Sequence, residues 1–92
     1  MIDHFVERTT KTYTKGTYSY ILILVTATEN ENRLNNAISN SSGAGITELA
    51  RYSASSGEQY SGFRLMKVSL PSTGSFSITS GDKTVFTIFG IK

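Results

Sequence analysis

The chain has no cysteine and no tryptophan, and only one proline and one histidine. Without cysteine, neither a disulfide framework nor a thiolate metal site can reinforce a small core, and the redox compartment is left undetermined. The lone histidine, His4, cannot build a histidine-rich metal centre, and a Ser/His/Asp relay resting on it would stand on a terminal segment. It reads as a solvated side chain.

Charge is sparse as well. Asp, Glu, Lys and Arg make up 17% of the residues, the formal net charge is only +2, and the basic residues are not clustered as in a nucleic-acid footprint. The densest apolar run, residues 21–25, is far too short to span a bilayer. Residues 1–4, Met-Ile-Asp-His, begin with an acid where an export signal has a basic region. A soluble chain is expected, with no membrane insertion and no nucleic-acid partner.

Ser and Thr make up roughly a quarter of the 92 residues, and glycine falls mainly between apolar runs, a composition of all-β domains with many turns. At this length one domain is expected, with little stability to spare, and oligomerisation is the remaining supplement to the core.

The organising stretch is residues 18–27, Tyr-Ser-Tyr-Ile-Leu-Ile-Leu-Val-Thr-Ala, the one run that stays apolar on both alternating faces. Its β-branched and aromatic content, with the Lys15-Gly16 turn signal before it, predicts a central strand. Residues 59–70 and 84–91 repeat the two-sided pattern, while in residues 75–79 Phe76 and Ile78 alternate inward with polar neighbours. Residues 80–83, Ser-Gly-Asp-Lys, are expected to close a hairpin between these last two strands.

Residues 5–14, Thr-rich and charged on both faces, suit an edge strand or arm. Thr28 followed by Glu31 resembles a capping box, so a short helix fits within 28–38, followed by a flexible loop over 39–45. Residues 46–53 fit a strand, and Ser55-Ser56-Gly57 a turn. Pro71-Ser72-Thr73-Gly74 forms another turn.

The expected fold is all-β, a small antiparallel β-sandwich of jelly-roll-like character. Residues 1–16 form an N-terminal arm or edge strand and residues 17–92 the sandwich. Leu22, Ile23, Leu24, Val68, Ile78 and Ile88 are expected in the core, with Leu24 among the positions most sensitive to truncation.

Catalytic patterns are absent. Seven carboxylates are scattered along the chain, the Glu29 to Asn32 spacing matches no calcium loop, and no GxGxxG, Walker or GxSxG motif occurs. The expectation is a non-enzyme without metal or cofactor. Arg51 with Tyr52, and Tyr60 with Phe63 and Arg64, place aromatic and guanidinium groups near strand ends, where they could stack on a sugar or anchor a protein. Arg33, in the long insertion after the central strand, joins Arg51, Tyr52, Tyr60 and Arg64 as a candidate contact. Strands apolar on both faces exceed the cover that so short a chain supplies, which points to a homo-oligomer with Phe86, Phe89 and Ile91 at its interface.

The terminal Thr84-Val85-Phe86-Thr87-Ile88-Phe89-Gly90-Ile91-Lys92 resembles the ending of many bacteriophage tail-fibre and other virion appendage proteins, whose last strand commonly closes in aromatic-Gly-Ile-Lys. Upstream, Tyr18-Ser19-Tyr20 before an aliphatic run, a polar loop with an Arg, Gly45-Ile46-Thr47 and a Ser-x-Ser-Ile strand extend the likeness over residues 17–92. Phe89 stands where tyrosine is commoner. The resemblance implies a non-enzymatic virion component, usually trimeric, in contact with other virion proteins and, in some members, with host-surface glycans. Its expected location is the virion, or the host cytoplasm during assembly. A fibre tip follows a long shaft, whereas about seventeen residues precede this region, which favours a head or tail decoration protein or a multi-protein appendage. The alternative is a free carbohydrate- or protein-binding module, such as a small inhibitor of a host protein.

Overall fold

A computed structural model describes residues 2–14, 18–35, 37, 45–57, 59–70 and 75–91. Among these the chain runs β1 (Ile2–Val6), β2 (Thr10–Thr14), β3 (Tyr20–Thr28), α1 (Asn32–Asn35), β4 (Gly45–Ser56), β5 (Gln59–Ser69), β6 (Ser75–Thr79) and β7 (Thr84–Ile91). Five strands form one antiparallel sheet in the order β1-β7-β3-β5-β4, and β2 and β6 pair as a second. The expected all-β antiparallel architecture is present, with its short helix. The turns at 15–16 and 71–74, and the loop over 39–45 apart from Gly45, lie outside the described residues.

β3 is the middle strand of the five, as its two-sided apolar pattern requires. Its faces are not equivalent. Ile21, Ile23, Val25 and Ala27 are buried, while Tyr20, Leu22 and Leu24 are half-buried on the opposite side. Along β5 and β7 the same inner face continues through Met66, Val68, Phe86 and Ile88, all fully buried. Tyr13 of β2, Phe76 and Ile78 of β6, and Leu34 of α1 belong to the same core cluster. Tyr13 also ties the layers together, its hydroxyl donating to Asp3 of β1 at 3.1 Å. Burial, then the neighbouring Asp3 charge, raises the pKa of that phenol.

Two segments cross between the sheets at one corner. Residues 7–9 carry the chain from β1 to β2, and residues 80–83 carry it back from β6 to β7. Ser80, 2% exposed, binds the two crossings together. Its hydroxyl accepts the Thr9 N–H and donates to the Val6 carbonyl, both at 3.0 Å. Its own N–H reaches the Thr9 carbonyl and its carbonyl accepts the Arg8 N–H, again at 3.0 Å. Arg8 and Lys83 adopt φ of 59° and 58°, a costly conformation for non-glycine residues. Arg8 is held by Asp82 at 2.6 Å, and the Lys83 N–H donates to the Glu7 carboxylate at 2.6 Å.

Two expectations are corrected by this arrangement, and one with two alternatives is decided. Residues 80–83 do not close a hairpin: β6 pairs with β2, and β7 with β1 and β3. Crossing to the second layer is what puts Phe76 and Ile78 over the inner face, where pairing with β7 would leave that face bare. Of the two readings of the N-terminal residues, the edge strand is the one found: β1 is an edge of the large sheet, β2 is half of the small one, and Phe5 and Tyr13 enter the core. Leu22 and Leu24 are not core residues, since the second layer covers only the face carrying Ile21, Ile23 and Val25.

Truncation should follow this division. Ile23→Ala is expected to cost about 2–5 kcal/mol, and Leu24→Ala clearly less in the isolated chain, by urea unfolding. Ser80→Ala, which leaves the Thr9 N–H without its partner, is expected to cost about 1–3 kcal/mol in the same measurement.

Candidate functional site

Among the described residues, no element covers the side of the large sheet turned away from β2 and β6. Register places Ile2, His4 and Val6 of β1 opposite Phe89, Thr87 and Val85 of β7. Leu22, Leu24 and Thr26 of β3 follow in the next row, then Lys67, Leu65 and Phe63 of β5, with Tyr52 of β4 opposite Phe63. Ile2 is 71% exposed, Val6 54%, Tyr52 58% and Phe63 36%. Some polar groups of this side have local partners: His4 Nδ1 lies 3.1 Å from the Thr87 hydroxyl, and the Lys67 ammonium sits 4.4 Å above the Tyr20 ring.

This face has two unlike ends. The Tyr20 end gathers Ile2, Leu22, Phe89 and Ile91 into an apolar surface. At the Thr28 end a groove of about 540 Å³ crosses all five strands, lined by Val6, Val85, Thr26, Ser61, Phe63 and Tyr52 among others, with Glu7 and Lys83 in the lining. The rings of Tyr52 and Phe63 lie 6.0 Å apart and 22° from parallel.

Of the expected interface residues, Phe89 and Ile91 belong to the open face, but Phe86 does not. Phe86 is fully buried on the inner side, its ring 5.3 Å from that of Phe5. A side chain enclosed within its own chain has no surface to offer a neighbour, and strand alternation is the reason, since residues 86 and 89 point oppositely.

The five candidate contact residues do not form one site. Tyr52 alone lies on the open face. Tyr60 packs against the core, its hydroxyl 2.9 Å from that of Ser53. Beside it Gly62 must be glycine: a Cβ there would lie 2.6 Å from the Tyr60 hydroxyl and 2.7 Å from the Tyr52 carbonyl oxygen. Arg51 and Arg64 share one carboxylate, with Glu48 Oε1 at 2.8 Å from Arg51 and 2.6 Å from Arg64. Arg51 reaches Asn35 at 2.6 Å and Arg64 the Leu34 carbonyl at 3.3 Å, so the cluster fastens α1 to the hairpin. A β-bulge between Glu48 and Ala50 makes this possible. An unbulged strand would send residues 48 and 51 to opposite faces. Arg33 pairs with Glu29 at 3.0 Å and lies 3.6 Å from Asp82, and its Nε is enclosed without a hydrogen-bond partner among the described residues.

Reading the sequence missed Ile2, Val6 and Val85, and it paired Phe63 with Tyr60 instead of Tyr52. The signal was available: Ser56 and Gln59 flank the Gly57 turn, and four equal steps back along each strand bring Tyr52 opposite Phe63. The β1 alternation was hidden by the surrounding threonines and charges. Among the described residues no three His, Cys, Asp or Glu side chains converge to hold a metal ion, and no helix is long and apolar enough to cross a membrane.

Hydrogen bonds from Arg51 and then Arg64 hold the Glu48 carboxyl below its ordinary range. Asp82 is lowered chiefly by Arg8. A lowered carboxylate stabilises the fold fully above its unfolded-state pKa, near ~4, and that contribution is lost as pH falls through the lower folded value. Urea unfolding across a pH series should therefore show an acid-side loss of stability below about pH 4, shallower in Glu48→Gln. Solvent exposure keeps the difference small.

Comparison of the chain with protein-family models, with curated proteins and with solved structures found no match.

Proposed function

We infer that this chain is a non-enzymatic component of a bacteriophage virion, a tail-fibre or appendage tip or a head or tail decoration protein, that works as a homotrimer in assembly or host-surface attachment. The observation that carries the reading is the apolar Tyr20 end of the open face. Ile2, Leu22, Phe89 and Ile91 lie together on a sheet face that no other described element of the chain covers, and burying such a surface against copies of itself is the common solution for a small domain. The likeness of the terminal strand to virion appendage proteins supplies the context, and the same strand contributes Phe89 and Ile91 to the face.

The second reading, a free carbohydrate- or protein-binding module, is favoured by the groove at the Thr28 end. The two readings differ in mass. Light scattering over a concentration series is expected to give three times the 10.0 kDa chain mass, with little change on raising salt, because packing and not charge holds the contact. Phe89→Asp should reduce it to the monomer mass by placing an unpaired carboxylate in the interface, with the far-UV spectrum unchanged. A folded monomer at micromolar concentration, or a trimer indifferent to Phe89→Asp, would overturn this interface.

A further inference from the structure

We propose that the groove at the Thr28 end of the open face is a binding site for a neutral oligosaccharide. This rests on the attachment half of the proposed function and gives it a ligand class. The groove's volume, about 540 Å³, falls in the range of small-ligand sites. Because it crosses five strands it extends about 19 Å, long enough for several linked sugar rings.

Its lining matches the amphipathic character of a sugar. Tyr52 and Phe63 offer adjacent, solvent-accessible rings on one wall, on which the C–H face of a pyranose packs favourably against the negative ring surface. Thr26, Thr28 and Ser61 bring hydroxyls that make no side-chain hydrogen bond among the described residues, so each can both donate to and accept from a ring hydroxyl. Glu7 and Lys83 offset each other in sign. Glu7 accepts the backbone N–H of Lys83, the Lys83 ammonium lies 3.9 Å from Glu29, and the formal charges of the lining cancel, so it carries no net charge to select an ionic ligand.

Other occupants fit less well. An extended peptide binds a sheet by pairing with a free edge, yet the floor strands β7, β3 and β5 are each paired on both sides. An acyl chain would desolvate the three hydroxyls without satisfying them.

The test is a titration of the full chain, followed by amide NMR shifts, with cellotetraose, chitotetraose and mannotetraose at millimolar concentration. Tetragalacturonate and decanoate serve as charged and apolar probes. At least one neutral tetraose should shift Tyr52, Phe63, Thr26 and Ser61 together. Tyr52→Ala, at an exposed position, should weaken that binding roughly ten-fold or more. Thr26→Val, which keeps the shape and removes the hydroxyl, should weaken it roughly three-fold or more. The site is overturned if all three neutral tetraoses leave these signals in place, if decanoate or tetragalacturonate binds there in preference, or if both variants bind as the parent does. Mass is read on the same samples. A trimer with an unresponsive groove overturns the saccharide site alone, whereas a monomer that binds a tetraose keeps the site and overturns the trimer.

Discussion

An imbalance of cover governs this molecule. Among the described residues five strands stand in one layer and two strands with a single helical turn stand opposite, so they seal one face of the large sheet and leave the other without cover. The hydrophobic effect rewards removal of apolar area from water wherever cover exists. On the inner face, therefore, Ile21, Ile23, Val25, Met66, Phe86 and Ile88 reach complete burial. Their alternate neighbours, equally apolar in several cases, remain accessible. The uncovered face follows from the strand count and needs no special feature to explain it.

The corner at Ser80 is where the two layers are made to face each other. Four backbone groups of residues 6–9 hydrogen-bond to one buried serine, each a group that the change of sheet takes out of a regular ladder. The left-handed residues Arg8 and Lys83 are held there by contacts on both sides. Two of the three left-handed non-glycine residues among the described ones thus flank this corner, the third being Glu29.

Much of this was legible in the residues. The two-sided pattern of residues 20–25 placed β3 in the middle of the sheet, and the Phe76 and Ile78 alternation identified β6 and its inward face. What could not be read was which face of β3 is sealed, because Ile21, Ile23 and Val25 are no more apolar than Leu22 and Leu24, and the choice depends on β2 and β6 packing from far along the chain. The partner of β6 was misjudged for the same reason: a four-residue link fits a hairpin and a change of layer equally well. The bulge beside Glu48 was also invisible, and with it the shared face of Glu48 and Arg51. The groove was half visible. Tyr52 and Phe63 were noticed as separate aromatics, and only the register across the Gly57 turn brings them together.

Both sheets are completed by strands drawn from opposite ends of the described chain, β1 pairing with β7 and β2 with β6. The hairpin of β4 and β5 can form from neighbours, but the second layer does not exist until β6 has been synthesised, and β1 has no partner before β7. Such distant pairing raises contact order, which slows folding toward the millisecond-to-second range of β proteins. A chain still emerging from the ribosome therefore carries the apolar side of β3 and β5 without its cover, and during that interval both faces of those strands are open to unwanted association.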